Sequence, residues 1–458
     1  MLKKFMLFEI IVLLGWGAGF PDGEARAESA SRYTDRIPGL KEQDDLPIGP
    51  RPLLETGQGY TLEGPYELEF ELPTGMVVSP GLIFFGNLDT GLQVTDNGVA
   101  DSTSEWITTL DLFLNLTLSG TERILIGVSP LERPGGPKTR YQFQPNSGFI
   151  NETGNFRLTS AFFEGELTEI FPKLDWEGRL PLDYEISFGR QAVVIQDGIM
   201  INDTLDSVAL TRSTLLIPGA NFARIGGFVA LNNVHRSNNF DDGESELYGI
   251  FSSADLLHST VNLDLIYIDS TDALGDQINV GASLIRAFTI LGRSVDTTIH
   301  FATSLTPDDE TAQATDGALL YSSFSWAPEK TSDIIYVNSF AAFDSYAPAA
   351  RGSGGPLGIT GLLFAGNGLA GAPISNRADH AYGGSLGYQK FFSLRRNLIL
   401  EVGGKVDNSR GGIKRGGAAV RYSQAIGQHV FFEIGGFVVE QESADVAFGV
   451  RTKISVAF

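Results

Sequence analysis

The sequence contains no cysteine, which excludes a disulfide framework, a thiolate metal site and a cysteine nucleophile. Basic residues are few: 33 Lys and Arg stand against 55 Asp and Glu, a net charge of −22. A protein that neutralises phosphates needs the opposite balance, so nucleic acid is not an expected partner. Past the N-terminus no apolar run approaches the roughly 20 residues of a spanning helix, and helical membrane folds drop out. Histidine is scarce as well, with five in 458 residues. What is plentiful is glycine (54) and phenylalanine (31), a pairing that suits β-structure with close turns and a large aromatic surface.

The first 27 residues read as an export signal. Lys3 and Lys4 form a basic start, Phe5 to Phe20 is mostly apolar, and Ala25-Arg26-Ala27 offers a small-x-small cleavage site. Glu9 interrupts the apolar stretch, which argues against a membrane anchor. Cleavage after Ala27 removes three basic residues (Lys3, Lys4, Arg26) and three acidic ones (Glu9, Asp22, Glu24), so the charge stays at −22. Residues 28–79 differ from the rest of the chain: they are charged, weakly periodic and carry Pro38, Pro47, Pro50 and Pro52. They are expected either to form a periplasmic leader segment, partly threaded into or under a domain spanning 80–458, or to be disordered, and to be the place where a periplasmic partner would dock.

From residue 80 the dominant period is two. Leu110, Leu112, Leu114, Leu116 and Leu118 alternate with Asp111, Phe113, Asn115 and Thr117. Val261, Leu263, Leu265 and Tyr267 repeat the pattern, as do Leu398, Leu400 and Val402. The last segment is the most regular: Val446, Phe448, Val450, Thr452, Ile454, Val456 and Phe458, with Arg451 and Lys453 on the other face. Such alternation places one set of side chains on each face of a strand. A soluble sandwich also alternates. Strand lengths near 10 residues and small or polar residues on the second face favour a membrane barrel with a wet lumen.

Eighteen candidate strands emerge, opening at 80–95, 105–118 and 120–129 and closing at 416–425, 429–440 and 445–457. The number is even, as in bacterial single-chain barrels. Connections alternate in length. Short ones at Leu257-His258-Ser259, Pro328-Glu329-Lys330 and Ile426-Gly427-Gln428 fall on one side. Long ones at 130–154, 195–203, 232–244, 305–315 and 345–380 fall on the other and are expected to be external, with 170–182 the exception. The fold expected is a closed antiparallel transmembrane β-barrel in the bacterial outer membrane. Its partners there would be lipid and lipopolysaccharide, and its terminal aromatic Phe458 resembles the C-terminal signature that the barrel-assembly machinery reads.

Chemistry is sparse. His235-Arg236-Ser237 lies in an external connection with no second element to make a triad, and His300 reads as a lone polar wall residue. The acidic stretches Asp241-Asp242-Gly243-Glu244-Ser245-Glu246 and Asp308-Asp309-Glu310 do not match a calcium-loop spacing. No catalytic residue, cofactor or resident metal is expected. Function should sit in the lumen. Parity places Arg157, Arg224, Lys405, Arg421, Arg451 and Lys453 inside, together with Asp111, Glu185, Asp264, Glu401 and Glu433. Six basic positions against five acidic ones give no strong charge preference, and the alternative is that they pair across the lumen and only brace the wall. The connection 345–380 has an apolar middle from Leu357 to Leu369, which must be hidden from water, so it should fold into the barrel mouth or pack over it as a constriction.

One stretch carries a family resemblance. Phe188-Gly189-Arg190-Gln191, then Asp197-Gly198, then Leu205-Asp206-Ser207-Val208-Ala209-Leu210 resembles the alginate-export family of outer-membrane porins. The resemblance implies an 18-stranded barrel passing an acidic polysaccharide through an arginine-rich lumen, with Arg190 and Gln191 as wall contacts. The nearly balanced lumen departs from that pattern. The reading is therefore a passive pore or exporter for polysaccharide or small hydrophilic solutes. Arg190, Arg421, Arg451 and Lys453 would be its principal contacts, as donors to hydroxyl, carboxylate or phosphate oxygens. The alternative is a structural or binding barrel that houses or docks a periplasmic partner.

Overall fold

The structure is a computed structural model that describes residues 50–57, 69–131, 139–150, 157–175, 183–290, 292–365, 373–408, 412–442 and 444–458. The export signal of 1–27 and much of the leader lie outside the described residues.

Each of the eighteen expected strands is present. In chain order they are β1 (Gly81–Asp96), β2 (Thr103–Thr117), β3 (Arg123–Ser129), β4 (Arg157–Glu166), β5 (Tyr184–Ile195) and β6 (Ile201–Arg212). The next six are β7 (Ala220–Leu231), β8 (Glu246–Leu256), β9 (Ser259–Asp269), β10 (Gln277–Ile290), β11 (Arg293–Leu305) and β12 (Gly317–Trp326). The ring is completed by β13 (Ile334–Asp344), β14 (Ala381–Ser393), β15 (Arg396–Asp407), β16 (Lys414–Ile426), β17 (Val430–Gln441) and β18 (Ala447–Ala457). Every strand pairs antiparallel with its sequence neighbours, and β18 pairs with β1 from Phe448↔Asp96 to Ala457↔Asn87. That last ladder closes the sheet and removes the free edges that an open sheet would leave.

The period of two decides the faces. Leu92, Val94, Val208, Leu210, Leu263, Leu265, Leu400, Val402, Phe448 and Val450 are exposed on the outside. A belt of this extent is untenable in water and is the surface that lipid covers. On the other parity, Gln93, Asp264, Ser283, His300, Asn338 and Glu401 point inward and are buried. They are buried because the lumen is not empty. β3 is short because the long connection after it supplies a substitute: Thr139–Gln144 pairs with the upper part of β2, where β3 does not reach.

Among the described residues, the connections at 196–200 and 345–380 enter the barrel. The first joins β5 to β6 and is a correction to the expected long external loop at 195–203. The strands run to Ile195 and from Ile201, leaving only Gln196–Met200 between them. Gln196, Asp197 and Gly198 all adopt positive φ (55°, 52° and 82°), and the tight left-handed turn carries Ile199 and Met200 inward, where both are fully buried. The second is 345–380, which folds into the mouth as its apolar middle requires. Leu357, Leu363, Phe364 and Ile374 join Ile199, Met200, Tyr321 and Phe340 in one apolar cluster inside the wall. Its stretch 366–372 lies outside the described residues.

At the opposite rim, Phe70–Glu71 and Val77–Val78 form a small hairpin just before β1. Its Glu71 pairs with Lys173 at 2.8 Å, in the connection after β4 that broke the rule of short turns. No helix among the described residues is long and apolar enough to cross a membrane.

Candidate functional site: the narrowed lumen

The two inserted connections hold each other. Met200 O accepts the amides of Ala349 (2.9 Å) and Ala350 (3.4 Å), and Ala350–Arg351 runs parallel to Ile201–Asn202. Arg351, itself buried, donates through Nη1 to Gly198 O, and Tyr346 donates to Ile199 O at 3.3 Å. Burial lowers the Arg351 guanidinium to about 10, which still leaves it charged at neutral pH.

Both connections are then pinned to the wall. Gln196 donates to Asp264 at 2.6 Å and meets His300 Nδ1 at 2.9 Å, while His300 Nε2 lies 3.0 Å from Asp197. Met200 sits where a Cβ on Gly281 would lie 2.1 Å from its sulfur, so glycine on β10 is the seat that admits the turn. Gln277 and Asn279 both donate to Ala347 O at 2.9 Å. Asn338 and Ser385 donate to Thr360 O. Glu401 accepts the amides of Leu362 and Leu363, each at 2.9 Å, and the Tyr336 hydroxyl at 2.5 Å. Lys405 donates to Arg377 O at 2.7 Å and Ser375 O at 3.4 Å.

These bonds separate the expected lumen residues into two groups. Glu401 and Lys405 are 2% and 4% exposed, point inward as parity requires, and are engaged by the backbone of 345–380. Asp264 is engaged by Gln196, Asp111 by Ser129, and Glu185 by Ser213. Gln191 donates to Ser207 at 3.0 Å, and the guanidinium of Arg224 stacks on Phe251 at 6.0 Å from the ring centre. Arg157 opens β4 opposite the buried Ser129 and lies in the electrostatic field of His235.

The second group lies on the wall of β16, β17, β18 and β1, away from the inserted connections. Arg421, Gly435, Arg451 and Gln93 occupy one row across β16, β17, β18 and β1. Glycine between the two arginines leaves their side chains room. One row on, Glu433 lies opposite Lys453. Arg421 Nε is 3.9 Å from Glu433, and Lys453 Nζ is 4.0 Å from Asp89. The Arg421 and Lys453 side chains keep 29% and 22% of their exposure, and at 3.9 and 4.0 Å both pairs are long.

Arg190 is placed elsewhere. It shares its parity with the exposed Phe188 and clasps Asp206 by two hydrogen bonds of 2.7 Å. Asp206 in turn shares parity with the exposed Val208 and Leu210. The pair therefore lies on the outer face, and Arg190 is not a lumen contact. The motif gave its position, whereas parity would have placed it outside.

Three histidines lie within 4 Å of a carboxylate: His235 beside Asp203, His300 beside Asp197 and His380 beside Asp344. His235 Nδ1 lies 3.0 Å from Asp203 in the mouth, in a short hairpin of Val234–Arg236 with Phe240–Asp242. The hydrogen bond to Asp203 raises its pKa, helped by Asp241 and opposed by burial and Arg157. No group of three or more His, Asp or Glu among the described residues is arranged to hold a metal ion.

A closed, even-stranded antiparallel barrel, apolar outside and polar inside, belongs to the class of bacterial outer-membrane β-barrels. No family model matches the sequence, and no curated protein matches it. Solved structures do. The chain is similar to Pseudomonas aeruginosa OccK2 (OpdF), with TM-score 0.57 and 10% identity over 82% of this chain and 97% of that one. It is similar to Acinetobacter baumannii OccAB3, with TM-score 0.57 and 10% identity over 82% and 99%. A BenF-like porin from Pseudomonas fluorescens Pf-5 gives TM-score 0.57 and 11% identity over 82% and 98%. At such identity the likeness is one of fold. It supports the outer-membrane porin architecture and replaces the narrower resemblance to alginate exporters.

Proposed function

We propose that this chain is a passive outer-membrane pore for small hydrophilic solutes, with a preference for those bearing a carboxylate. The observation that carries the reading is the division among inward charges. Glu401, Lys405 and Asp264 are consumed in holding the inserted connections. Arg421, Arg451 and Lys453 line the wall of β16 and β18, with Glu433 and Asp89 as the carboxylates beside them. Along that wall three basic side chains face two carboxylates, a small positive excess. Guanidinium groups flanking a glycine offer forked donors to a carboxylate. One structural neighbour, OccK2, was solved in complex with glucuronate, a carboxylated sugar, which fits the same chemistry.

Two connections folded into the bore favour a small solute over a polymer. The test is permeation into liposomes carrying the purified protein, comparing glucuronate with glucose. Glucuronate should enter faster, and Arg421→Gln with Arg451→Gln should abolish most of that advantage while glucose entry holds. Equal loss for both sugars, or no advantage to begin with, would refute the preference.

A further inference from the structure

β18 ends before its partner does. Phe458 exchanges both backbone hydrogen bonds with Gly86, at 2.7 and 3.0 Å, yet β1 continues beyond that point to Gly81. The remaining edge of β1 is occupied by Leu54–Thr56. Leu54 lies opposite Phe84, Glu55 opposite Ile83 and Thr56 opposite Leu82, all antiparallel. Since β18 is also antiparallel to β1, the two pieces run in the same direction along one line. The register leaves a single place between Phe458 and Leu54, opposite Phe85. The outward parity passes without a break from Val450, Ile454, Val456 and Phe458 to Leu54. At Gly57 the chain turns away with φ of 83°, where a Cβ would lie 2.5 Å from Pro80 O.

We infer that residues 53–56 are the missing end of β18, so that the N-terminal segment completes the barrel seam at its inner rim. The edge of β1 from 81 to 85 is then a strand-addition surface, and its occupant is this segment of the same chain. A backbone edge left bare there would be open to pairing with any extended strand. With the segment in place, the edge of β1 is covered as far as Leu82, and a strand from outside can add only after the segment leaves.

The lack of cysteine makes the register directly testable. Directly opposed residues of an antiparallel pair lie within disulfide range. In the full-length protein folded in detergent, Leu54→Cys with Phe84→Cys, and separately Thr56→Cys with Leu82→Cys, should form disulfides on mild oxidation. Glu55→Cys with Phe84→Cys puts the thiols on opposite faces and should stay reduced. Failure of both matched pairs, or equal oxidation of the mismatched one, would overturn the assignment. A second measurement addresses closure. Oxidised Leu54→Cys/Phe84→Cys should need a higher temperature than its reduced form to lose the compact barrel band on an unboiled gel. Deletion of 53–56 should lower that temperature by several degrees. If neither moves it, the segment plays no part in closing the seam.

Discussion

Glu401 is a buried carboxylate whose oxygens are spent on two backbone amides and a tyrosine hydroxyl, and its role is set by that bonding. Removing it as Glu401→Ala leaves the amides of Leu362 and Leu363 without their acceptor in a dry site. The expected cost is about 1–3 kcal/mol, measured by denaturant unfolding in detergent, and Glu401→Gln should recover part of it. His235 adds a pH dependence. Its folded pKa is raised, chiefly by Asp203, so its contribution is complete below the ordinary histidine value of 6.5 and is lost as pH rises through the raised one. The unfolding midpoint should fall across that window, and His235→Gln should flatten the fall. At this scale parity reads the faces of Arg421, Glu401, Lys405 and Lys453 from the sequence alone. It cannot say which of them is engaged. The partners of Glu401 and Lys405 are loop backbone groups 28 to 39 residues away, brought close only by the folded mouth. For Arg190 a local motif points inward while the parity of Phe188 points outward, and parity is the stronger constraint beside lipid.

Among the elements, the strands are legible because a half-buried sheet next to lipid must alternate, and Leu110 to Leu118 or Val446 to Phe458 can do nothing else. The connection 345–380 is legible for the related reason that its apolar middle has to be covered. The same argument applies to Gln196–Met200, since Ile199, Met200 and Ile201 form an apolar run that an external loop would leave in water. The run is hidden in the sequence because β5 and β6 extend further than their alternation suggests. If both connections narrow the bore, deleting 352–372 should raise single-channel conductance. Gly281→Val should do so by a separate route, because its side chain would occupy the seat of Met200 and push the turn off the wall. Unchanged conductance in both variants would mean that the bore is limited elsewhere.

For the whole molecule, composition excluded more than it specified. The absence of cysteine, the shortage of basic residues and the lack of a long apolar run removed disulfide scaffolds, nucleic-acid binders and helical membrane folds. The count of eighteen strands and the alternation of turn lengths then fixed the topology. What composition could not show was the usable charge of the bore, since a net of −22 sums every residue of the chain, whether or not it lines the bore. The most direct measurement is single-channel recording in planar bilayers under a salt gradient. A water-filled bore whose wall carries Arg421, Arg451 and Lys453 should give discrete steps and a reversal potential on the anion side. Arg421→Gln with Arg451→Gln should move that potential toward the cation side. A membrane that stays silent with correctly folded protein present, or a reversal potential favouring cations before any substitution, would contradict this account.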